Sequence, residues 1–169
     1  MGMIDDAAAA DFEQVLAVYN EVIRNTTAVY AEEEYDPVQG RVWFDAKLSS
    51  GFPFIVARDD RGVAGFASFG AFRAWACYRH SVEHSVHVRA DRRGQGLGRA
   101  LVLDLKSRAA ALGKHVMIAG IDADNVASIR MHESLGFERV AHLREVGFKF
   151  GRWLDLEFLQ CFLRPSPPC

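Results

Sequence analysis

The stretch Val88–Val102 places three glycines, Gly94, Gly96 and Gly98, at alternate positions between two different sequence patterns. Before it, HSVEHSVHV alternates β-branched and polar residues, which is typical of a strand. After it, the apolar residues have the spacing of a helix. A glycine-rich turn from a strand into a helix presents free N–H groups and the positive end of the helix dipole, and both favour an anion. The chain is therefore expected to contain a strand–turn–helix unit suited to a phosphate group.

Two common phosphate-binding motifs do not fit this turn. The spacing Gly-x-Gly-x-Gly differs from the Gly-x-Gly-x-x-Gly of dinucleotide folds, and no N-terminal strand–helix–strand unit places it as such a fold requires. No Gly-Lys-Ser/Thr closes it, as a P-loop requires. Arg92, Arg93 and Arg99 add positive charge at the same place. A glycine turn without a ligand is the alternative, but glycines flanked by arginines before a helix favour the anion site.

The first half of the chain predicts two helices followed by three strands. FEQVLAVYNEVI puts its apolar residues on one helical face, and a second helix begins at Pro37 with Asp36 as its N-cap. FPFIVARDDRGVAGFASFGAF is typical of two strands joined at DDRG, and HSVEHSVHV is the third strand.

The second half predicts two helices and three strands. A helix over Gly96–Leu112 precedes the apolar segment KHVMIAGID, which indicates a strand buried on both faces. DNVASIRMHESLGF is a helix capped by Asp124 or Asn125, and aromatic-rich strands follow around Val140–Phe150 and Trp153–Leu163. The whole order, β-α-α-β-β-β-α-β-α-β-β, predicts a mixed sheet with helices on both faces. This is an α/β or α+β fold rather than a doubly wound one.

Length and composition limit the classes of protein to which the chain can belong. The 169 residues suit a single domain over residues 1–163, and we expect the Pro-rich tail, residues 164–169, to be frayed. The net charge of −2 gives no indication of nucleic-acid binding, and no apolar run approaches the roughly 18 residues of a membrane span. The three cysteines are an odd number without metal-type spacing, which favours a reduced, cytoplasmic chain.

Two motifs resemble those of the GNAT N-acetyltransferase superfamily, and the resemblance extends over nearly the whole chain. RRGQGLGRAL is similar to the superfamily's coenzyme A pyrophosphate loop, Gln/Arg-x-x-Gly-x-Gly/Ala, through Arg93, Gly96 and Gly98. NVASIRMHESLGF is similar to its Asn-x-x-Ser-x-x-x-(Tyr/His)-x-x-x-Gly-Phe helix, which includes Asn125 and His132. The resemblance implies the GNAT acyl-CoA N-acyltransferase fold, a mixed and mostly antiparallel sheet with a splayed strand pair. It also implies acetyl-CoA as co-substrate.

Further segments resemble the phosphinothricin and methionine sulfoximine N-acetyltransferase branch, namely YNEVIRNTTAVY, VEHSVHVRADRRGQGLG and FKFGRWLDLEFLQ. This resemblance implies direct transfer of an acetyl group, in a ternary complex, to the α-amine of a glutamate-like amino acid such as methionine sulfoximine, methionine sulfone or phosphinothricin. A GNAT enzyme that acetylates another small amine or a peptide is one alternative. A non-catalytic acyl-CoA-binding sensor is another, although the presence of Glu83 and His132 argues against it.

The resemblance also implies which residues hold the coenzyme. The strand before the glycine turn would hydrogen-bond the pantetheine amides, and one of its N–H groups would polarise the thioester oxygen. The N–H groups of the turn would hold the diphosphate, and Asn125 would reach the pantetheine arm. The predicted cofactor contacts are Val86, His87, Val88, Arg93, Gly94, Gln95, Gly96, Leu97, Gly98, Arg99, Asn125, Ser128 and Ser134.

Glu83 is the first candidate for the base that deprotonates the substrate's ammonium group. A glutamate is unusual in a strand otherwise made of Val, Ser and His, and partial burial would raise its pKa toward the working range. The resembled branch carries its functional glutamate at this position. An ion pair with Arg79 or Arg73 at a strand edge is the alternative.

His132 holds the place where many superfamily members have a tyrosine that acts as general acid toward the coenzyme thiolate. A helix histidine that only lies against the coenzyme is the alternative. His84 is a further titratable group, so Glu83, His84, His132 and water are all candidates for the base.

The segment FRAWACYR is the predicted substrate-binding segment. The planar guanidinium of Arg73 suits a bidentate grip on an α-carboxylate. Trp75 and Tyr78 would wall the side-chain pocket, and the alternative is that they are simply core aromatics. Arg73, Trp75 and the EHS of Glu83–Ser85 match substrate-contacting positions of the branch. The predicted substrate contacts are Arg73, Trp75, Tyr78, Glu83, His84 and Ser85.

Two further features of the sequence bear on a metal site and on a dimer. His80, His84 and His87 invite a metal interpretation, but on a strand His84 and His87 point to opposite faces, so no metal is expected. The final strands, VGFKFGRWLDLEFL, alternate aromatic and polar residues. In the resembled family such strands often complete a homodimer, which is therefore expected. A covered edge of the chain's own sheet is the alternative.

Overall fold

The computed structural model describes residues 3–163, so the predicted fraying of residues 164–169 lies outside the described part of the chain. The order of helices and strands is the one predicted from the sequence. The elements are β1 (Ile4–Asp6), α1 (Phe12–Asn25), α2 (Pro37–Ser49), β2 (Phe54–Asp59), β3 (Gly62–Ala71), β4 (Ser81–Val88), α3 (Leu97–Ala111), β5 (Val116–Asp122), α4 (Val126–Glu133), β6 (Glu138–Lys149) and β7 (Arg152–Phe162).

All of these strands belong to one seven-stranded sheet with the order β1-β2-β3-β4-β5-β7-β6. The pair β4–β5 is parallel, and every other neighbouring pair is antiparallel. The prediction of a mixed, mostly antiparallel sheet is confirmed.

The parallel pair separates after a short paired stretch. The pairing runs through Ser81 with Val116, Val82 with Met117 and Glu83 with Ile118. Beyond this point β4 stays paired with β3, and β5 stays paired with β7. The facing edges, residues 84–88 of β4 and 119–122 of β5, are therefore not paired with each other, and we call the space between them the fork. Backbone N–H and C=O groups along these edges need other partners, which a ligand can supply.

Helices cover both faces of the sheet, as predicted. On one face α1 and α2 pack through a core that includes Phe12, Phe44 and Phe66. On the other face α3 and α4 pack through a core that includes Leu101 and Ile129. Among the described residues, no helix is both long enough and apolar enough to cross a membrane.

The caps of α2 and α4 follow from their sequences. The Asp36 carboxylate accepts hydrogen bonds from the N–H groups of Val38 at 2.7 Å and Gln39 at 2.9 Å, as predicted for this N-cap. Of the two candidate caps for α4, the structure uses Asn125, whose side-chain oxygen accepts from the N–H of Ser128 at 3.1 Å.

The edge strand β6 is less regular than its sequence indicates. Its register with β7 shifts between Leu143 and Gly147, and Glu145 adopts the left-handed conformation with φ 53°. The N–H of Glu145 donates to Asp155 Oδ1 at 2.8 Å, which ties this bulge to β7. The alternating sequence pattern of β6 does not predict the bulge, because the bulge is defined by how β6 is aligned with β7.

Candidate functional site

A cavity of about 790 Å³ lies where the glycine turn meets the fork. A volume of this size is typical of small-molecule and cofactor sites. The predicted cofactor residues that line it are Val86, His87, Val88, Arg93, Gly94, Gly96, Leu97, Gly98, Arg99, Asn125 and Ser128. The structure therefore brings the strand, the turn and the Asn125 helix to one cavity, although they are distant in sequence.

The glycine turn needs glycine for its backbone conformation. Gly94 has φ +74° and Gly96 has φ +82°, both in the left-handed region that other residues adopt only with strain. Gly96 is the N-cap of α3, so the first N–H groups of that helix, which have no partner inside it, belong to the wall of the cavity. This wall is suited to an anion.

The three arginines of the turn differ in how much of their charge is free. The guanidinium of Arg92 pairs with Asp59 at 2.6 Å, and that of Arg93 pairs with Glu21 at 2.6 Å. Arg99 lines the cavity and forms no ion pair within residues 3–163. Arg99 is therefore the arginine of the turn with the most charge available to a bound anion.

Two predicted cofactor residues do not line the cavity. The Gln95 side-chain amide donates to the backbone carbonyl of Asp91 at 3.0 Å, and the Ser134 hydroxyl donates to that of Met131 at 2.7 Å. Both side chains are engaged with the protein's own backbone, and their contact with a cofactor stays a prediction.

Two segments outside the predicted site also line this cavity. These are the end of α1 with the loop after it, and the turn between β6 and β7; their lining residues include Asn25, Thr26, Thr27, Ala28, Phe150 and Arg152. The segments NTTAVY and FKFGRW carry part of the resemblance to a branch of enzymes, but that resemblance assigned no site residue within them. The polar residues of these segments, among them Asn25, Thr26 and Arg152, lie next to the ends of a helix and a strand. This position is the feature of the sequence that could have indicated a ligand-binding role.

A buried lysine joins these two segments. The side chain of Lys149, in β6, is 2% exposed, and its ammonium group donates to the carbonyls of Ile23 at 2.7 Å, Thr26 at 2.8 Å and Val29 at 2.8 Å. The bond to Ile23 also satisfies a carbonyl in the last turn of α1, where carbonyls have no partner in the helix. Burial lowers the pKa of Lys149. The lysine thus holds the Thr26–Val29 loop against the cavity.

A second cavity of about 90 Å³ occupies the fork itself. We call it the fork cavity. It is lined by residues 84–87 of β4, residues 119–122 of β5, Ala28, and Asn125, Ser128 and His132 at α4. Three residues in this lining each carry a buried polar atom without a hydrogen-bond partner in the described structure, namely Nδ1 of His84, Nδ1 of His87 and Oδ2 of Asp122.

His84 and His132 contact each other beside the fork cavity. Their Nε2 atoms are 3.2 Å apart, and Nδ1 of His132 is 2.7 Å from the Ser128 carbonyl oxygen. Burial lowers the pKa of His84 to about 3, with the nearby His132 and His87 adding to the effect. Burial also lowers the pKa of His132, partly offset by its bond to Ser128. Both rings are therefore neutral at neutral pH.

Glu83 lies at the root of the fork, at the last position where β4 pairs with β5. Burial raises the pKa of its carboxyl group, and the positive charge of Arg73 partly offsets this rise. Gly120 faces it across the fork, and a Cβ atom there would lie 3.2 Å from Glu83 Oε1. The glycine therefore leaves space that the carboxylate occupies.

The predicted substrate residues on the β3–β4 connection lie outside both of these cavities. The guanidinium of Arg73 lies 4.1 Å above the ring of Phe72 and donates to the Phe72 carbonyl at 2.9 Å. Trp75 is 78% exposed and Tyr78 is 42% exposed, so the alternative that they are core aromatics is wrong. Their contact with substrate stays a prediction.

The histidines of β4 point to opposite faces, as predicted for a strand. His84 packs against His132 and Phe137 on the α4 side, while His87 packs against Tyr19 and Phe66 on the α1 side. Within residues 3–163, no three His, Cys, Asp or Glu side chains are grouped as a metal site requires.

Comparison with known proteins gives consistent matches. Residues 15–137 match the acetyltransferase (GNAT) family. The chain is 48% identical over 164 residues to the L-methionine sulfoximine/L-methionine sulfone acetyltransferase of Pseudomonas paraeruginosa, covering 96% of this chain and 95% of that protein.

Two solved structures are also similar. A putative acetyltransferase from Salmonella typhimurium, solved with its cofactor acetyl-CoA, has a TM-score of 0.92 and 40% identity, covering 100% of this chain and 98% of that one. A GNAT superfamily phosphinothricin acetyltransferase from Sinorhizobium meliloti, in complex with acetyl-CoA, has a TM-score of 0.91 and 38% identity, covering 95% and 88%.

Replacing Gly96 with alanine should weaken the binding of acetyl-CoA. Alanine in the left-handed conformation costs about 1–2 kcal/mol, so the turn should relax and move the first N–H groups of α3. Gly113→Ala is the matched control, because Gly113 has φ +69° at the opposite end of α3. Both variants should lose unfolding free energy, but only Gly96→Ala should raise the Kd for acetyl-CoA, by about tenfold or more, in a calorimetric titration. Equal affinity in the two variants would contradict this assignment of the turn.

Proposed function

Because this chain belongs to the acetyltransferase (GNAT) family, we propose that it transfers an acetyl group from acetyl-CoA to the α-amine of a glutamate-like amino acid, with both substrates bound together. Methionine sulfoximine, methionine sulfone and phosphinothricin are the proposed substrate type, and the cytoplasm is the proposed location. The observation that carries the proposal is the placement of Glu83, a carboxyl group with a raised pKa, at the root of a fork beside the large cavity.

The residues of the large cavity fit acetyl-CoA. The N-terminal N–H groups of α3 and the guanidinium of Arg99 suit its diphosphate. The edge of β4 at the fork offers backbone groups that no strand pairs, and these suit the amides of the pantetheine arm. When bound, acetyl-CoA supplies an acetyl thioester, and an N–H group of Val86–Val88 is the proposed donor to its carbonyl oxygen.

Glu83 is the proposed base for the ammonium group of the amino acid. Only the ionised carboxylate can accept a proton, and burial brings its pKa closer to that of the group it must deprotonate. The space beside Gly120 allows the carboxylate to stay at the root of the fork. Glu83 lines neither cavity, and the proposed approach of the amine is along the edge of β4 at the root of the fork.

Arg73 is the proposed partner of the α-carboxylate. Its charge is close enough to Glu83 to lower the pKa of that carboxyl group. An α-amino acid carries an ammonium and a carboxylate a few bonds apart, so a carboxylate and a guanidinium in proximity complement both groups. This arrangement favours amino acids over simple amines. Ser85 and His84 line the adjoining fork cavity, while Trp75 and Tyr78 are proposed to contact the substrate side chain from the β3–β4 connection.

The proposed function is tested by a substrate panel. We expect acetyl-CoA to release free thiol with methionine sulfoximine, methionine sulfone or phosphinothricin, and to react more slowly with spermidine or a short peptide. The measurement is thiol release followed with a chromogenic reagent, with product masses checked. Turnover only with spermidine or the peptide would move the proposal to another amine. Binding of acetyl-CoA without turnover of any amine would favour a sensor.

Glu83→Gln should lower kcat/KM by about 10²-fold or more, since the amide cannot accept the proton. Arg73→Ala should instead raise the KM of the amino acid and leave the KM of acetyl-CoA unchanged, because only the carboxylate contact is lost. Both are measured as initial rates with each substrate varied in turn. A near-wild-type rate for Glu83→Gln would remove the base role from this residue.

We also propose that the chain forms a homodimer through the β6–β7 edge of the sheet. β6 is the terminal strand, and its outer surface is largely exposed. Phe148 is 50% exposed, Phe150 is 59% exposed and Trp153 is 60% exposed, which is unusual for adjacent aromatic residues on an open edge. Phe150 also lines the large cavity, so a second copy at this edge would adjoin the site.

Trp153→Glu should shift the protein from dimer to monomer in sedimentation velocity, because a charge would replace an apolar contact at the interface. Val42→Glu is the matched control, since Val42 is 67% exposed on α2 and far from this edge in sequence. The control should sediment as the wild type does. A wild-type protein that sediments as a monomer at micromolar concentration would rule out the dimer.

A further inference from the structure

The acetylation of an ammonium group releases two protons from one nitrogen. The substrate nitrogen carries three protons as an ammonium group and one as a secondary amide. One of the two protons lost must reach the departing sulfur, and the other leaves to water. Glu83 can hold only one of them at a time, and a second titratable group near the root of the fork would relay the other proton from the nitrogen to the sulfur.

The hydrogen bonds beside the fork cavity determine which histidine has a free nitrogen. The Ser128 carbonyl can only accept, so Nδ1 of His132, 2.7 Å away, carries a hydrogen and donates it. In a neutral ring Nε2 of His132 is then an acceptor. Nε2 of His84, at 3.2 Å, must donate to it. His84 is left with a lone pair on Nδ1, the atom that is buried and has no partner.

This order of bonds gives the two histidines unequal roles. Both nitrogens of His132 are occupied by the protein, and the residue is 1% exposed. His84 lines the same cavity with one nitrogen unoccupied. Unpartnered buried polar atoms are rare in folded proteins, and His84 is one of three residues lining the fork cavity that carry such an atom.

We propose that His84 is the second proton-transfer residue of the reaction, acting through Nδ1, and that His132 is a positioning residue that holds the His84 ring. The proposal rests on the proposed acetyl transfer. It assigns His132 a different task from the general acid implied by the resemblance, since the His132 ring has no free nitrogen to offer a thiolate.

The proposed step balances in bonds and protons. As the N–C bond forms and the C–S bond breaks, the nitrogen loses its second proton to Nδ1 of His84, directly or by way of a water molecule. His84 is then a cation whose Nε2–H donates to the neutral His132, a charge-assisted bond. Nδ1 afterwards gives this proton to the thiolate, and an S–H bond forms. Glu83 passes the first proton to water.

Burial disfavours the charged form of His84, so a proton taken up by its ring would be held only briefly. Its pKa, lowered to about 3, keeps the lone pair on Nδ1 available at neutral pH. An ordinary thiol has a pKa of about 8.5, so a cationic His84 would give its proton to a thiolate readily. Glu83 and His84 are neighbours on β4 and point to opposite faces, so they flank the edge of β4 at the fork from its two sides.

Four variants test the proposal. The side-chain amide of His84→Gln can still donate to His132 but cannot titrate, and His84→Leu removes both functions. In His132→Gln an amide oxygen can accept from His84 Nε2–H, so the ring of His84 stays held. His115→Gln is the matched control, because His115 is an exposed histidine that lies against Phe162 and lines neither the large cavity nor the fork cavity.

We expect kcat to fall about 10²-fold in both His84 variants, with the KM of acetyl-CoA unchanged, and less than about tenfold in His132→Gln. His115→Gln should match the wild type. Near-wild-type kcat in His84→Gln would overturn the proposal, because a merely structural His84 is replaced by an amide that keeps the hydrogen bond. A loss in His132→Gln equal to or larger than that in His84→Gln would overturn it as well.

A spectroscopic measurement on the ligand-free protein separates this proposal from the proposed function. Ring ¹⁵N shifts should show a hydrogen on Nδ1 of His132 and on Nε2 of His84, and none on Nδ1 of His84. The opposite tautomers would overturn the proposal even if acetyl transfer is found. Failure of every amine in the panel would overturn the acetyl-transfer function, whereas the tautomers would still report the arrangement of the two rings.

Discussion

The separation of β4 from β5 after Glu83 is the constraint on which the rest of the site depends. Each of these strands keeps its antiparallel partner on the other side, so the fold loses only the pairing along the fork. The unpaired edge of β4 leads directly into the glycine turn and α3. One interruption of a sheet thus creates the wall of the large cavity, the fork cavity and the position of Glu83.

Several buried polar contacts stabilise the surroundings of this interruption. Lys149 ties the loop after α1 to β6, and Asn125 caps α4 at the edge of the fork. The Ser128 carbonyl sets the tautomer of His132, which in turn orients His84. The three buried side-chain atoms without a hydrogen-bond partner, within residues 3–163, belong to residues that line the fork cavity.

Local patterns in the sequence were sufficient to predict the order and type of the helices and strands. Helical periodicity and an Asp-Pro start located α2, alternation located β4, and glycine spacing located the turn before α3. The bulge of β6 at Glu145 was not predicted, because it depends on the register with β7. The exposure of Trp75 and Tyr78 was not predicted either, because an aromatic residue in a connection can pack or remain in solvent according to what surrounds it.

The sequence alone determined the order of the elements, the glycine turn before α3 and the family resemblance, because each depends on residues close together along the chain. The tertiary structure alone decided that His84 meets His132, 48 residues later in the chain, and that Lys149 donates to the Ile23 carbonyl at the end of α1, 126 residues before it. It also decided how far β4 and β5 stay paired. Such contacts follow from the packing of distant elements, which no local spacing specifies.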